Sequence, residues 1–138
     1  MKMTIPGTLP GLNEIINQSK THWSKYRTLK WDCTMLVKMC ARHLRPIEKA
    51  DFIITWFCPD KRRDKDNVIA GQKFLFDGLR AAGVIENDGW KQIRDITHRF
   101  EVDKLNPRIE VEIIEVKEGE HGQDKRTARG TRTAQEAS

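Results

Sequence analysis

The stretch DFIITWFC (residues 51–58), followed by PDKRRDKDN (residues 59–67), decides the predicted fold of this chain. The first eight residues are apolar on both faces, which is typical of a strand in the interior of a sheet. Pro59 ends this strand, and a short charged connection leads into a helix predicted over about residues 67–82, with Gly83 placed to cap it. A buried strand followed by a helix is therefore the centre of the predicted fold.

Four further elements are predicted on either side of this centre. Met1–Ile5 alternates apolar and polar residues and predicts a strand. Apolar residues recur at three- and four-residue steps over Trp23–Leu44, which predicts one long helix closed by Pro46. Two alternating segments, Ile96–Val102 and Ile109–Ile113, predict an antiparallel hairpin with one face in water. The order β-α-β-α-β-β indicates the α+β class, with a small mixed β-sheet and two helices packed on it.

The length of 138 residues suits one domain, which we assign to residues 1–116. Residues 117–138 contain no apolar side chain larger than alanine, so we expect a disordered C-terminal tail. No apolar run is long enough for a membrane span or a signal peptide. Three cysteines without a CxxC pair argue against a disulfide framework or a zinc site. We therefore expect a cytoplasmic protein that does not bind membranes.

The excess positive charge is concentrated in two parts of the chain. Residues 20–45 hold seven basic residues and one acid, although the net charge of the whole chain is only +5. A second basic cluster lies at residues 61–63. Such surfaces attract polyanions, and a solvated helix face is the alternative interpretation. The candidate DNA-binding residues are Lys20, Lys25, Arg27, Lys30, Arg62 and Arg63.

An acidic pair follows the second basic cluster. If the connection is extended, Asp64 and Asp66 point to the same side and present two carboxylates together. Mg²⁺ binds proteins through one or two carboxylates, waters and substrate phosphate oxygens, so this pair is a candidate metal site. In the alternative interpretation, Asp64 pairs with Arg62 and Asp66 caps the next helix.

Two more residues extend this candidate site. Lys73 lies seven residues after Asp66, about two helical turns, and we expect it on the same face. Asp88 lies in the turn beyond the helix, where a third carboxylate is expected to return toward the first two. Three carboxylates and a lysine beside a basic surface are typical of metal-dependent phosphodiester cleavage, in which the lysine stabilises the charge that develops on the phosphate oxygens.

These residues carry a resemblance to a known family. The segments RRDKDN (62–67), FDGL (76–79), AGVI (82–85) and NDGW (87–90), together with Lys73, resemble the RusA family of Holliday-junction resolvases, and the similarity extends over about residues 3–116. Two departures are an Asn87-Asp88 turn where the family often has two aspartates, and a longer spacing from Asp66 to Lys73.

The resemblance implies a RusA-like fold and a defined activity. Asp64, Asp66 and Asp88 would be metal-binding catalytic carboxylates, and Lys73 the essential basic residue. The protein would be a Mg²⁺-dependent, structure-selective endodeoxyribonuclease that resolves four-way junctions by paired symmetric nicks in DNA recombination and repair. It would act as a homodimer. Many members of the family are carried by prophages, and this protein would be one of that type.

Two other functions remain open at this point. One is a non-catalytic protein that binds branched DNA, against which Lys73 and Asp88 argue. The other is a different metal-dependent phosphotransfer enzyme, since paired aspartates also occur there, and the basic helix argues against it. Among the four tryptophans, Trp56 is predicted in the core, whereas Trp23, Trp31 and Trp90 are candidates for stacking on bases. Gly71 and Gly78 predict close helix packing.

Overall fold

The computed structural model describes residues 1–117. The predicted tail, apart from Lys117, lies outside the described residues. The chain forms four strands and four helices within the described part: β1 (Lys2–Pro6), α1 (Leu12–Thr21), α2 (Trp23–Cys40), β2 (Ala50–Cys58), α3 (Lys65–Ile69), α4 (Gln72–Ala81), β3 (Ile93–Val102) and β4 (Arg108–Glu115).

The four strands form one mixed sheet in the order β1-β4-β2-β3. β2 is an inner strand that pairs antiparallel with β4 and parallel with β3. Phe52, Ile54 and Trp56 are buried on one face of β2, while the residues between them are half-buried on the other. The buried face packs with apolar residues of β1, β4 and α4 into one core. The predicted α+β class and the inner position of β2 are confirmed.

The predicted hairpin of the last two strands is wrong. β3 and β4 are separated by β2, because β3 lies at the sheet edge and β4 lies between β2 and β1. The connection over residues 103–107 therefore passes the end of β2, where Asp103 N donates to the carbonyl oxygen of Cys58. Alternation reveals that a strand has one wet face, but it does not identify the neighbouring strand.

The predicted long helix is observed as α2, which begins at Trp23 as expected and ends at Cys40, one turn before the predicted end at Leu44. The second predicted helix is interrupted. It begins at Lys65, and the interruption lies at Ala70 and Gly71, where the backbone hydrogen bonds shorten to the i−3 carbonyl. α1 was not predicted as a separate helix, and it contains no fully buried residue.

Two glycines permit the helices to approach their neighbours closely. A Cβ on Gly78 would lie 2.4 Å from Val37 Cβ on α2 and 3.1 Å from the carbonyl oxygen of Thr34. A Cβ on Gly71 would lie 3.0 Å from Leu9 Cβ and 3.3 Å from the ring of Trp56. The predicted role of both glycines in close packing is confirmed. Gly83 follows α4 with φ of 79°, as expected for a capping glycine.

His98 and the cysteines belong to the structure rather than to a reactive site. Trp56 Nε1 donates a hydrogen bond to His98 Nδ1 at 2.9 Å, and burial lowers the pKa of His98. Cys33, Cys40 and Cys58 pack against the core, and burial raises the pKa of each thiol. These side chains therefore remain neutral near pH 7.

No helix within residues 1–117 combines the length and the apolar character needed to cross a membrane.

The packing at Gly78 provides a test of this fold. We expect Gly78→Ala to lower the free energy of unfolding by about 1–3 kcal/mol, because the added methyl group overlaps Val37. Adding Val37→Ala should restore part of the loss. Gly89→Ala is the matched control, since its Cβ would meet only Gln92 Oε1 at 3.8 Å. Equal unfolding midpoints in urea for the Gly78 and Gly89 variants would contradict the packing.

Candidate active site

The two candidate aspartates lie just beyond the carboxyl end of β2. Asp64 is the N-cap residue of α3, and Asp66 lies in its first turn. The extended geometry expected for this pair is therefore wrong, because the helix begins between the two residues. Residues two apart in a helix do not share a face, so the backbone does not by itself set the two carboxylates side by side.

Both carboxylates are exposed and largely free of protein partners. Within residues 1–117, the Asp64 carboxylate makes no hydrogen bond or ion pair, and Asp66 Oδ1 accepts only from the backbone N of Asn67 at 2.9 Å. The alternative in which Asp64 pairs with Arg62 is also wrong, since Arg62 Nε lies 3.7 Å from Asp60 Oδ2. The acidic pair is thus available to a ligand from solvent.

Arg63 and Asn67, which flank the acidic pair, hold the N-terminal segment. Arg63 Nη1 donates to the carbonyl oxygen of Leu9 at 3.1 Å, and Asn67 Oδ1 accepts from Asn13 N at 3.1 Å. A Cβ on Gly11 would lie 2.6 Å from Asn67 Oδ1 and 2.9 Å from Arg63 Nη1. We call these two hydrogen bonds the Arg63–Asn67 clamp. They hold the loop before α3, and α3 itself, against the start of α1.

Asp64 borders an open depression of about 720 Å³ between the charged loop and the end of β3. Its lining mixes Lys61, Arg63 and Lys65 with Asp60, Asp64 and Glu101. The Lys65 ammonium lies 5.2 Å from the centre of the Phe100 ring. The depression therefore places the ammonium groups of Lys61 and Lys65 on the same surface as Asp64.

Lys73 lies at the start of α4 and is more than half exposed. Its Nζ lies 3.7 Å from Asp77 Oδ2 on the next turn of the helix. The i,i+4 spacing places the two side chains on adjacent turns of α4, and the ion pair limits the directions that the lysine samples.

Asp88 lies at the other end of the sheet. Its neighbour Gly89 accepts backbone hydrogen bonds from Gln92 and Ile93, and Ile93 pairs with Ala50 at the start of β2. β2 runs from this end, at Ala50, to Cys58 at the end that carries Asp64, and these two residues are about 26 Å apart at 3.3 Å per residue step. The expectation that Asp88 returns toward the first two carboxylates is therefore wrong within one chain.

The donor set fits a divalent cation only in part. Carboxylate oxygens are the ligands that Mg²⁺ prefers, and Asp64 and Asp66 supply them at neighbouring positions. No group of three metal-ligating side chains occurs within residues 1–117. A complete three-carboxylate site would need Asp88 from a second chain, because Asp88 of the same chain lies at the other end of the sheet. The catalytic and metal-binding assignments of Asp64, Asp66, Asp88 and Lys73 remain predictions.

The candidate DNA-binding residues lie on more than one surface. Arg27 and Lys30 line a groove between α2 and α4, whereas Lys25 lines another between α1 and α2. Lys20 is exposed in the last turn of α1, and Arg62 is exposed in the loop. Arg63 is mostly buried in the clamp. The basic residues therefore lie on several sides of the helices and do not form one continuous stripe. Successive residues of a helix point in directions about 100° apart.

Comparison with known proteins gives one family. The family model described as "Endodeoxyribonuclease RusA" matches residues 12–114. The matched segment includes Asp64, Asp66, Lys73 and Asp88. No curated protein matches the chain significantly.

The Arg63–Asn67 clamp gives a prediction that concerns α1. Asn67→Ala removes the acceptor for Asn13 N, so we expect faster amide hydrogen exchange in α1 and a loss of stability of about 1 kcal/mol. Exchange in the sheet should change little. Asn87→Ala is the control, because it removes a similar bond to Asp88 N in a turn at the other end of the sheet. Unchanged exchange at Asn13 and Ile15 in the Asn67 variant would contradict the clamp.

Proposed function

The chain belongs to the RusA family of endodeoxyribonucleases, and we propose that it is a Mg²⁺-dependent enzyme that resolves Holliday junctions by paired symmetric nicks. In this role it serves DNA recombination and repair. The observation that carries the proposal is the position of Asp64 and Asp66, which are exposed and free of ion pairs at the end of the central strand. Lys61, Arg63 and Lys65 line the same depression as Asp64.

The surrounding residues suit the binding of a phosphodiester. Lys61 and Lys65 border the same depression as Asp64 and would hold phosphate oxygens. Mg²⁺ bound by the carboxylates would supply a Lewis acid and an activated water. Lys73 would stabilise negative charge on the phosphate oxygens, while Asp77 keeps the ammonium oriented. The Arg63–Asn67 clamp limits the motion of the loop that carries the carboxylates.

We propose a homodimer, because a four-way junction has approximate two-fold symmetry and needs two nicks. A two-fold dimer supplies two sites with matching symmetry. The separation of Asp88 from Asp64 and Asp66 adds a second reason. In this arrangement each site takes Asp64, Asp66 and Lys73 from one chain and Asp88 from the partner subunit, so that both sites depend on dimer formation.

The free edge of β3 is the interface that we favour. Among the described strands, β3 pairs only with β2, and its residues Ile96 and Val102 are 38% and 50% exposed. Antiparallel pairing of two β3 strands about Thr97 would set Asp95 of one chain opposite Arg99 of the other, twice. It would also bring the start of the partner's β3, near Asp88, beside Glu101, which lines the depression with Asp64.

The nuclease proposal is tested with a labelled synthetic four-way junction. We expect Mg²⁺-dependent cleavage that falls at least about a hundredfold in Asp64→Asn and Asp66→Asn, while junction binding is retained. Asp60→Asn is the matched control in the same loop, because that carboxylate is already paired with Arg62. Binding without cleavage by the unaltered protein would instead favour the non-catalytic branched-DNA-binding function. Wild-type cleavage by Asp66→Asn would contradict the site.

The interface is tested by charge reversal. We expect Arg99→Asp to shift the sedimentation equilibrium from dimer toward the 16.0 kDa monomer, since it sets like charges opposite each other. Combining Arg99→Asp with Asp95→Arg should restore the dimer. An unchanged dimer in Arg99→Asp, or no recovery in the double variant, would place the interface elsewhere.

A further inference from the structure

A groove between α2 and α4 lies apart from the acidic pair and has a distinct lining. Its volume is about 620 Å³, within the range of about 300–1,000 Å³ typical of small-ligand sites. Trp31 forms part of its wall and is 63% exposed. A tryptophan this exposed adds little to the core, and its ring face is accessible from solvent.

Cations and acids both line this groove. Arg27, Lys30 and Arg80 are its basic residues, and none of the three makes an ion pair or side-chain hydrogen bond within residues 1–117. Asp77 and Glu86 are its acids. One oxygen of Asp77, Oδ2, is buried and accepts no hydrogen bond from the described residues, although Lys73 Nζ lies 3.7 Å away.

We propose that this groove binds a single unpaired nucleotide of a DNA strand, with its base stacked on Trp31. This inference rests on the proposed function, in which the substrate is branched DNA, and it adds that one base near the branch unpairs when the DNA is bound. Arg27, Lys30 and Arg80 hold the flanking phosphates, and the exposed carboxylate of Glu86 accepts a hydrogen bond from an amino or imino group of the base.

The lining favours an unpaired base over a duplex for two reasons. The faces of bases within a duplex are covered by their neighbours, so only an unstacked base offers its face to the indole. Two carboxylates repel the closely spaced phosphates of a duplex, whereas they suit the hydrogen-bond donors on the edge of a base. Aromatic and cationic groups together are the usual means of binding single strands.

The test measures binding of a single-stranded oligonucleotide of about 12 nucleotides to the full chain in the absence of Mg²⁺. We expect Trp31→Ala to weaken binding about tenfold. Trp23→Ala is the matched control, because Trp23 is similarly exposed on the same helix but lies outside the groove. It should weaken binding less than about twofold. An oligonucleotide with the same backbone but abasic sites should bind both variants equally.

Several results would overturn the proposal. These are equal losses for the two tryptophan variants, an effect of Trp31→Ala that persists with the abasic strand, or an effect on self-association instead of DNA binding. The last would assign the groove to a second copy of the chain. Because no step requires cleavage, failure of this test is distinguishable from failure of the nuclease proposal, which the junction assay decides separately.

Discussion

The central strand β2 must pack beneath helices on one face, because Phe52, Ile54 and Trp56 on that face are large apolar side chains. Its inner position also requires hydrogen bonds along both edges. β4 and β3 satisfy its backbone hydrogen bonds, and α4 covers its buried face together with the core residues of β1. Gly71 lets the helical segment approach Trp56 closely, so that the strand and the helix after it form one unit. The charged loop that leads to Asp64 begins at the carboxyl end of this strand.

The parallel pairing of β2 with β3 determines where the candidate site residues lie. A parallel connection must return the chain to the starting end of the first strand. Asp64 and Asp66 therefore precede the return through α3 and α4, and Asp88 follows it. The same constraint that builds the sheet separates the carboxylates by about the length of β2. A site that uses all three must consequently draw on two chains, and the exposed edge of β3 offers a surface for that association.

The sequence was informative where short-range pattern and packing agree. The apolar run over residues 51–58 predicted the inner strand, and Gly71 and Gly78 predicted close packing that the neighbouring Trp56 and Val37 confirm. The sequence was uninformative where contacts between residues far apart in the chain determine the structure. α1 buries no residue, and part of its N-terminal capping comes from Asn67, so its own pattern carries little signal. The direction of the β2–β3 connection, and with it the place of Asp88, depends on strand pairing that alternation does not encode.

The claim that each site is shared between two chains is tested most directly by mixing two inactive variants. Asp66→Asn and Asp88→Asn chains are refolded together, and formation of mixed dimers is verified by mass. In the shared arrangement every mixed dimer contains one intact site and one site that carries both substitutions, so the account predicts recovery of single-strand nicking in a four-way junction. If all the carboxylates of a site came from one chain, no intact site would form. Mixed dimers without nicking, beside an active wild-type protein, would contradict the account.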